Sequence, residues 1–414
     1  MPDAQEKTAD FDPQTIRKDF PILAREVHGK PLVYLDNAAS AQKPVQVTDR
    51  MQRVFHSEYS NVHRGLHYLS NLSTEAFEGA RRTVQNFLNA ASDAQIIFTG
   101  GATDAINLVA HSYLEPRLKP GDEIILSEME HHSNIVPWHL LREQCGAVLK
   151  WVPVTDDGAL DMEAYAGLLG PRTKFVSLTQ MSNALGTVTD AKTIIDLAHA
   201  NNIPVLLDGC QGAVHLPTDV QALDVDFYVF SGHKVYGPGG IGVLYAKSKL
   251  LEVMRPYRGG GEMIREVSLD EVTYADPPHR FEAGTPPIVE AIGLGAALDY
   301  MMAIGWQNIC AHEKALAAHA MDVVGSINRV RIFGTAPDKG AIVSFMVDGI
   351  HPHDIAMVMD RSGVALRAGH HCAQPLMKRF DVAATARASF AVYNTHDEVE
   401  ALGVALTKAI GFFG

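Results

Sequence analysis

Two residues in the middle of the chain have the types that cofactor chemistry needs. Lys234 stands in Ser231-Gly232-His233-Lys234-Val235-Tyr236-Gly237-Pro238, directly after the apolar run Phe227-Tyr228-Val229-Phe230. That run reads as a buried strand. A lysine just past a strand end, among small and turn-forming residues, can be partly desolvated. Desolvation favours a neutral amine, whose lone pair attacks a carbonyl. Taken alone, the same residues also describe a surface lysine in a glycine-rich turn. Upstream, Val205-Leu206-Leu207-Asp208 reads as another buried strand, ending in a carboxylate. About one strand–helix–strand step separates Asp208 from Lys234. An acid and a lysine at adjacent strand ends are what pyridoxal phosphate requires. The lysine forms the Schiff base, and the carboxylate keeps the pyridine nitrogen protonated so that the ring accepts electrons.

Further groups could complete such a site. Ile96-Ile97-Phe98 is followed by Thr99-Gly100-Gly101-Ala102-Thr103. Strand, glycine turn and helix start present free N–H groups and a helix dipole to a phosphate. The stretch lacks the Lys-Ser/Thr of a nucleotide P-loop, and a purely structural turn would read the same way. Thr103 is the candidate hydroxyl donor. His131 and His132 are adjacent, so on an extended chain they point opposite ways and make a poor metal pair. One of them could lie flat on an aromatic cofactor. Cys372 follows Arg367-Ala368-Gly369-His370-His371 and precedes Ala373-Gln374-Pro375. It reads either as a small buried hydrophobe or, with Arg367, His370 and His371 close by, as a thiol biased toward the nucleophilic thiolate. Consecutive His-His-Cys residues rarely converge on one metal, and no metal site is read there. Arg387 offers a planar fork suited to a carboxylate. Gly237 to Gly242 matches GxGxxG in letters only: it leads into the strand Val243-Leu244-Tyr245 and opens no helix, so a dinucleotide site is rejected.

Alternating strands and helices from Val33 to Tyr245 must position these groups. The strands are expected at Val33, Ile96–Phe98, Ile124–Leu126, Val148–Val154, Phe175–Leu178 and the two runs above. Such alternation predicts a mostly parallel sheet covered on both faces, with ligands at the carboxyl ends of its strands. A helix is expected from Phe11 to Leu23, and a long one near 289–303 leading to a smaller α/β domain. That domain should hold strands near Val330, Ala341–Val347 and Val364–Arg367. Thr395-His396-Asp397-Glu398 is a capping box opening the last helix. The expected division is an N-terminal arm (1–30), a large cofactor domain (31–295) and a small domain (296–414) carrying the cysteine.

Composition narrows the class. The 414 residues are 47% hydrophobic and 20% charged, with a net charge of −13. This is ordinary for a globular protein and argues against nucleic acid or an anionic membrane as the main partner. Four scattered cysteines make neither a disulfide framework nor a CxxC pattern, which fits a reducing cytoplasm. The first ten residues lack the pattern of a signal peptide.

Asp208-Gly209-Cys210-Gln211 followed by the Lys234 segment resembles the class V branch of fold-type I pyridoxal-phosphate enzymes. The segment Arg367 to Pro375 narrows the resemblance to the SUF-system cysteine desulfurases, and it runs from about Phe11 to the C-terminus. The resemblance implies a large domain with a seven-stranded-type sheet and a smaller C-terminal α/β domain. It implies His131 stacked on the pyridine ring, Gln211 orienting it, and Ser231 and His233 completing the phosphate site. It places Asn183 near cofactor and substrate carboxylate, and the Asp36–Ser40 loop near the substrate. Arg387, with Arg367 and the entrance residue Arg64, would contact the substrate. Thr285 would reach the phosphate of a dimer mate. Lys234, Cys372 and His131 would be catalytic. The implied reaction turns L-cysteine into L-alanine and leaves sulfur on Cys372 as a persulfide for iron–sulfur cluster assembly. L-selenocysteine as a second substrate, a SUF-system sulfur-acceptor protein and a cytoplasmic homodimer go with it. Two alternatives stay open: another class V enzyme, such as an aminotransferase or kynureninase-like hydrolase, and a non-catalytic sulfur carrier on the same fold.

Overall fold

The computed structural model describes residues 11–414. Its large layer is a seven-stranded sheet. In spatial order the strands are Ile96–Thr99, Gly242–Ala246, Phe227–Ser231, Val205–Asp208, Thr173–Thr179, Glu123–Ser127 and Val148–Val152. Six run in one direction; only Gly242–Ala246 is antiparallel to its neighbours. Central strands such as Val205–Asp208 and Phe227–Ser231 are buried at every position. Helices cover both faces, so these strands read as continuous apolar runs and not as alternating ones. The expected mostly parallel, helix-covered sheet is what forms.

The helix Ile288–Ile304 is apolar around its whole circumference and packs on Tyr68–Leu88 and Val45–Arg53. Gly305, at φ 86°, ends it, and Trp306–Gly325 leaves at 80° into the second layer. Only glycine adopts that backbone region at little cost. Among the described residues no single helix is long and apolar enough to cross a membrane.

The second layer is a four-stranded antiparallel sheet, in the order Val330–Phe333, Ile342–Val347, Thr385–Ser389, Arg367–Gly369. It packs with Trp306–Gly325, Pro352–Asp360 and His396–Phe413. The capping box at Thr395 and Glu398 is present in both directions.

Three expectations need correction. The single strand expected over Val364–Arg367 is two: Val364–Ala365 pairs in parallel with Val33–Tyr34, and Arg367–Gly369 turns to join Thr385–Ser389. The strand at Val33 therefore belongs beside the second layer and not in the large sheet. Its neighbours Val33 and Leu35 share an apolar cluster with Val343 and Phe390. The helix expected over Phe11–Leu23 is broken into Pro13–Arg17, capped by Asp12, and a 3-10 turn, Pro21–Ala24. Pro21 has no N–H to continue the first helix. Phe20, at the break, is buried against Tyr236 and Tyr393.

Candidate active site

The carboxyl ends of the parallel strands face a cavity of about 350 Å³ that the small layer closes from above. Asp208 is the last residue of its strand, and Lys234 follows Ser231, the last of the next. Both line the cavity, with Thr103, His131, Asn183, Ser231, His233, Arg367, Cys372 and Arg387. Parallel strands that end on one side bring Asp208, Ser231 and Lys234 together, and the antiparallel second layer supplies Arg367, Cys372 and Arg387 from above.

Asp208 is 3% exposed, and its Oδ1 accepts from the Cys210 N–H at 2.9 Å. Among the described residues it forms no ion pair. His131 begins the turn after Glu123–Ser127; its Nδ1 accepts from Ser133 N at 3.1 Å and lies 2.8 Å from Ser133 Oγ. That contact puts the proton of a neutral ring on Nε2. Burial, then the charge of Lys234, pushes the imidazole down to about 4, so it is neutral at working pH. His233 is likewise pushed down to about 4, by burial and by the neighbouring Lys234 and Lys43.

The turn at Gly100 is shaped for an anion. Gly101 has φ 145°, and a Cβ on Gly242 would sit 2.5 Å from the Gly101 Cα, so the strand crosses close beneath the turn only because both are glycine. Ser231 Oγ accepts from Ala102 N at 2.9 Å. A second hollow, lined by Gly100, Gly101, Thr103, Ser231 and His233, adjoins the main cavity, with which it shares Thr103, Ser231 and His233. The donor set fits pyridoxal phosphate: an amine for its carbonyl carbon, a buried carboxylate for its ring nitrogen, hydroxyls and backbone N–H groups for its phosphate.

On the opposite wall, Arg387 is 2% exposed. Its Nη1 donates to Asn183 O at 2.9 Å and its Nη2 to Asp36 Oδ1 at 3.3 Å, while its Nε has no partner. Burial without a full set of partners pulls the guanidinium down to about 10. Asp36 is also gripped by Arg367, from Nη2 at 2.9 Å and Nε at 3.1 Å. Sequence reasoning named the Asp36 loop but missed this carboxylate as the partner of both arginines. No sequence signal marked it: the bridge from Asp36 to Ser389, two residues from Arg387, exists only in the folded chain.

Cys372 and His371 both sit in the left-handed region, at φ 55° and 52°. Such backbone costs about 1–2 kcal/mol for each non-glycine residue. Cross-layer hydrogen bonds hold it: Asn183 Nδ2 donates to His371 O at 2.8 Å, and His132 N to Cys372 O at 2.7 Å. Cys372 N donates to His370 Nδ1 at 3.1 Å. The expectation that His371 adds positive charge beside the thiol is overturned. Its ring turns inward to Thr385 Oγ1 at 2.8 Å, and burial pushes it down to about 3.

Three other candidates lie off the cavity wall. Gln211 Nε2 donates to Ala38 O at 2.9 Å, so it supports the wall at one remove. Arg64 is exposed and pairs with Glu262 at 3.3 Å. Thr285 is exposed on a loop.

Fold and site together define a fold-type I pyridoxal-phosphate enzyme. Residues 33–402 match the aminotransferase class-V family. A cysteine desulfurase of Dickeya dadantii is 51% identical over 394 residues, 95% of this chain and 95% of that protein. A cysteine desulfurase of Synechococcus elongatus is 50% identical over 398 residues; these are 96% of this chain, which spans only 64% of the relative's length. The crystal structure of the Escherichia coli cysteine desulfurase CsdA, in its S-sulfonic acid form, has a TM-score of 0.90 at 42% identity, covering 98% of this chain and 100% of that one. The chain belongs to the aminotransferase class-V family and, within it, to the cysteine desulfurases.

Proposed function

We propose that this protein removes sulfur from L-cysteine, releases L-alanine and holds the sulfur as a persulfide on Cys372. The observation that carries the reading is the presence of Cys372 in one cavity with Lys234, Asp208 and Arg387. An aminotransferase has no use for that thiol, and a mere sulfur carrier has none for the lysine and aspartate.

Each residue has a task. Arg387, with its free Nε, receives the substrate carboxylate, and Arg367 and Asp36 hold the fork in place. Pyridoxal phosphate, when bound, supplies the electron sink that makes the substrate's Cα proton removable and its C–S bond breakable. Lys234 is the base at Cα. Asp208 would hold the ring nitrogen, and neutral His131 would face the ring and be able to pass a proton through Nε2. Cys372 thiolate attacks the substrate sulfur; the S–S bond forms as the Cβ–S bond breaks, and a proton delivered to Cβ completes the methyl group of alanine. Ser231, His233 and Thr103 would anchor the phosphate.

The same reading extends to L-selenocysteine, whose selenium transfers more easily. The short, doubly clamped Cys372 loop favours a partner that comes to the cavity, and we assign that role to a sulfur-acceptor protein of the SUF type feeding iron–sulfur cluster assembly. A homodimer is supported by Leu66, Tyr68 and Leu269, large apolar side chains left exposed. They lie in or near the segments that carry Arg64 and Thr285, the residues assigned to the entrance and to a mate's phosphate. Four free cysteines suit a reducing cytoplasm.

The test is anaerobic incubation with L-cysteine, with alanine and protein persulfide measured together by mass spectrometry. Alanine with persulfide on Cys372 supports the proposal. A persulfide on Cys145, Cys210 or Cys310 but never on Cys372 overturns it.

A further inference from the structure

A separate cavity of about 450 Å³ lies in the seam between the two layers and shares no residue with the active site. One wall is His215 and Leu216 with the Val188–Asp190 stretch; the other is Cys310, Glu313 and Lys314 with the Pro337–Ala341 loop. Glu313 is 3% exposed. Its Oε2 is 2.7 Å from His215 Nδ1, but its Oε1 has no hydrogen-bond partner. A buried carboxylate oxygen without a donor leaves its desolvation uncompensated. In the same cavity wall, Lys339 donates to the carbonyl of Leu185 and, among the described residues, forms no ion pair. Burial pulls its ammonium down to about 7. The remaining charged groups are already committed or lie outside: Asp190 caps the helix Ala191–His199, and Lys314 and Asp338 are exposed.

The cavity wall thus offers a carboxylate oxygen lacking a donor and a half-buried amine lacking an anion. A ligand with a single charge would satisfy one and leave the other without its partner. We propose that this cavity binds a small free α-amino acid, its ammonium on Glu313 Oε1 and its carboxylate on Lys339 Nζ. The cavity is also joined to the active site. Val188 N donates to Asp338 O at 2.9 Å and Gly340 N to Gly186 O at 2.8 Å, so the loop that closes the cavity is bonded to the loop that carries Asn183. The inference does not depend on the reaction assigned to the main cavity.

Cys310 provides a local reporter, since its thiol lies in the cavity wall with Sγ 3.5 Å from His215 O. The holoenzyme is treated with iodoacetamide and alkylation is followed peptide by peptide, with L-alanine, propionate or propylamine present at equal concentration. L-Alanine should slow alkylation of Cys310 at least threefold and leave Cys145 unchanged; the two single-charge analogues should not. In Lys339→Met the protection should vanish while L-alanine still perturbs the visible band of the cofactor, which shows that the variant is folded and its active site intact. Glu313→Gln should lose protection too; if it fails to fold, Lys339→Met decides alone. No slowing by L-alanine, equal slowing by propionate or propylamine, or protection that persists in Lys339→Met overturns the proposal.

Discussion

Replacing Arg387 with lysine keeps the positive charge and removes the fork. In the native site Nη1 is engaged by Asn183 O, Nη2 makes only a long contact with Asp36, and Nε is free. An incoming carboxylate can take Nε and Nη2 side by side once a small shift opens the buried Nε to the cavity, without breaking the bond to Asn183. A lysine ammonium cannot serve Asn183 and two carboxylate oxygens with that geometry. A hydrogen bond to a charged group is worth about 1.5–3 kcal/mol. Losing one such bond to the substrate, with some misplacement of Asn183, should cost about 2–4 kcal/mol, or about 30- to 1000-fold in kcat/KM at ~1.4 kcal/mol per tenfold. Steady-state alanine production over a range of L-cysteine concentrations measures it, with most of the loss expected in KM. The visible band of bound cofactor should be unchanged, because Arg387 stands on the wall opposite Lys234. A fall of less than fivefold, or a loss of cofactor with KM unaltered, would refute the carboxylate role.

Lys234→Ala should abolish turnover and leave the circular dichroism and melting behaviour of the fold in place; sustained turnover with L-cysteine would rule the lysine out as the base. Cys372→Ser should still bind L-cysteine, seen as a change in the visible spectrum, but form no persulfide and release little alanine, since a hydroxyl is a poor nucleophile toward sulfur. Glu282→Ala removes the carboxylate that receives Arg81 Nη1 at 2.6 Å, Arg81 Nη2 at 2.8 Å and Phe98 N at 2.7 Å. Arg81 is 1% exposed and keeps Glu78 as a partner, Nε to Oε2 at 2.8 Å, so the charge is not stranded but loses its charge-assisted bonds to Glu282, which should cost about 1.5–3 kcal/mol in urea unfolding; a cost under 1 kcal/mol would contradict the packing described. Glu130, beside His131, is fully buried, and burial pushes its carboxyl up from 4.5 to about 8. Between these values the folded protein keeps a proton that the unfolded chain releases, so stability attributable to this group falls as pH rises from about 4.5 to 8, by at most ~1.4 kcal/mol per pH unit. Glu130→Gln, a neutral mimic, should flatten that slope in unfolding curves at pH 5, 6, 7 and 8; an identical slope in both proteins would show that Glu130 is ionised when folded.

Residue type and local spacing determined the large sheet and its chemistry. The apolar runs ending in Asp208 and before Lys234 read as buried strands, and two parallel neighbours present their ends on one side, so the acid and the amine were legible as a candidate pair. The capping box at Thr395 and Glu398 was legible for the same reason: its geometry closes within four residues. What depended on distant partners was not. Val33 and Val364 carry no mark of their parallel pairing, which joins residues more than three hundred positions apart. His371 reads like a cation beside a thiol until the backbone at φ 52° turns its ring to Thr385. Asp36 reads as one polar loop residue among several until the bridge to Ser389 sets it against two arginines. Local sequence determines which side chains are able to do chemistry; which of them are charged, aligned and within reach is decided by burial and by contacts between layers, and those exist only in the folded chain.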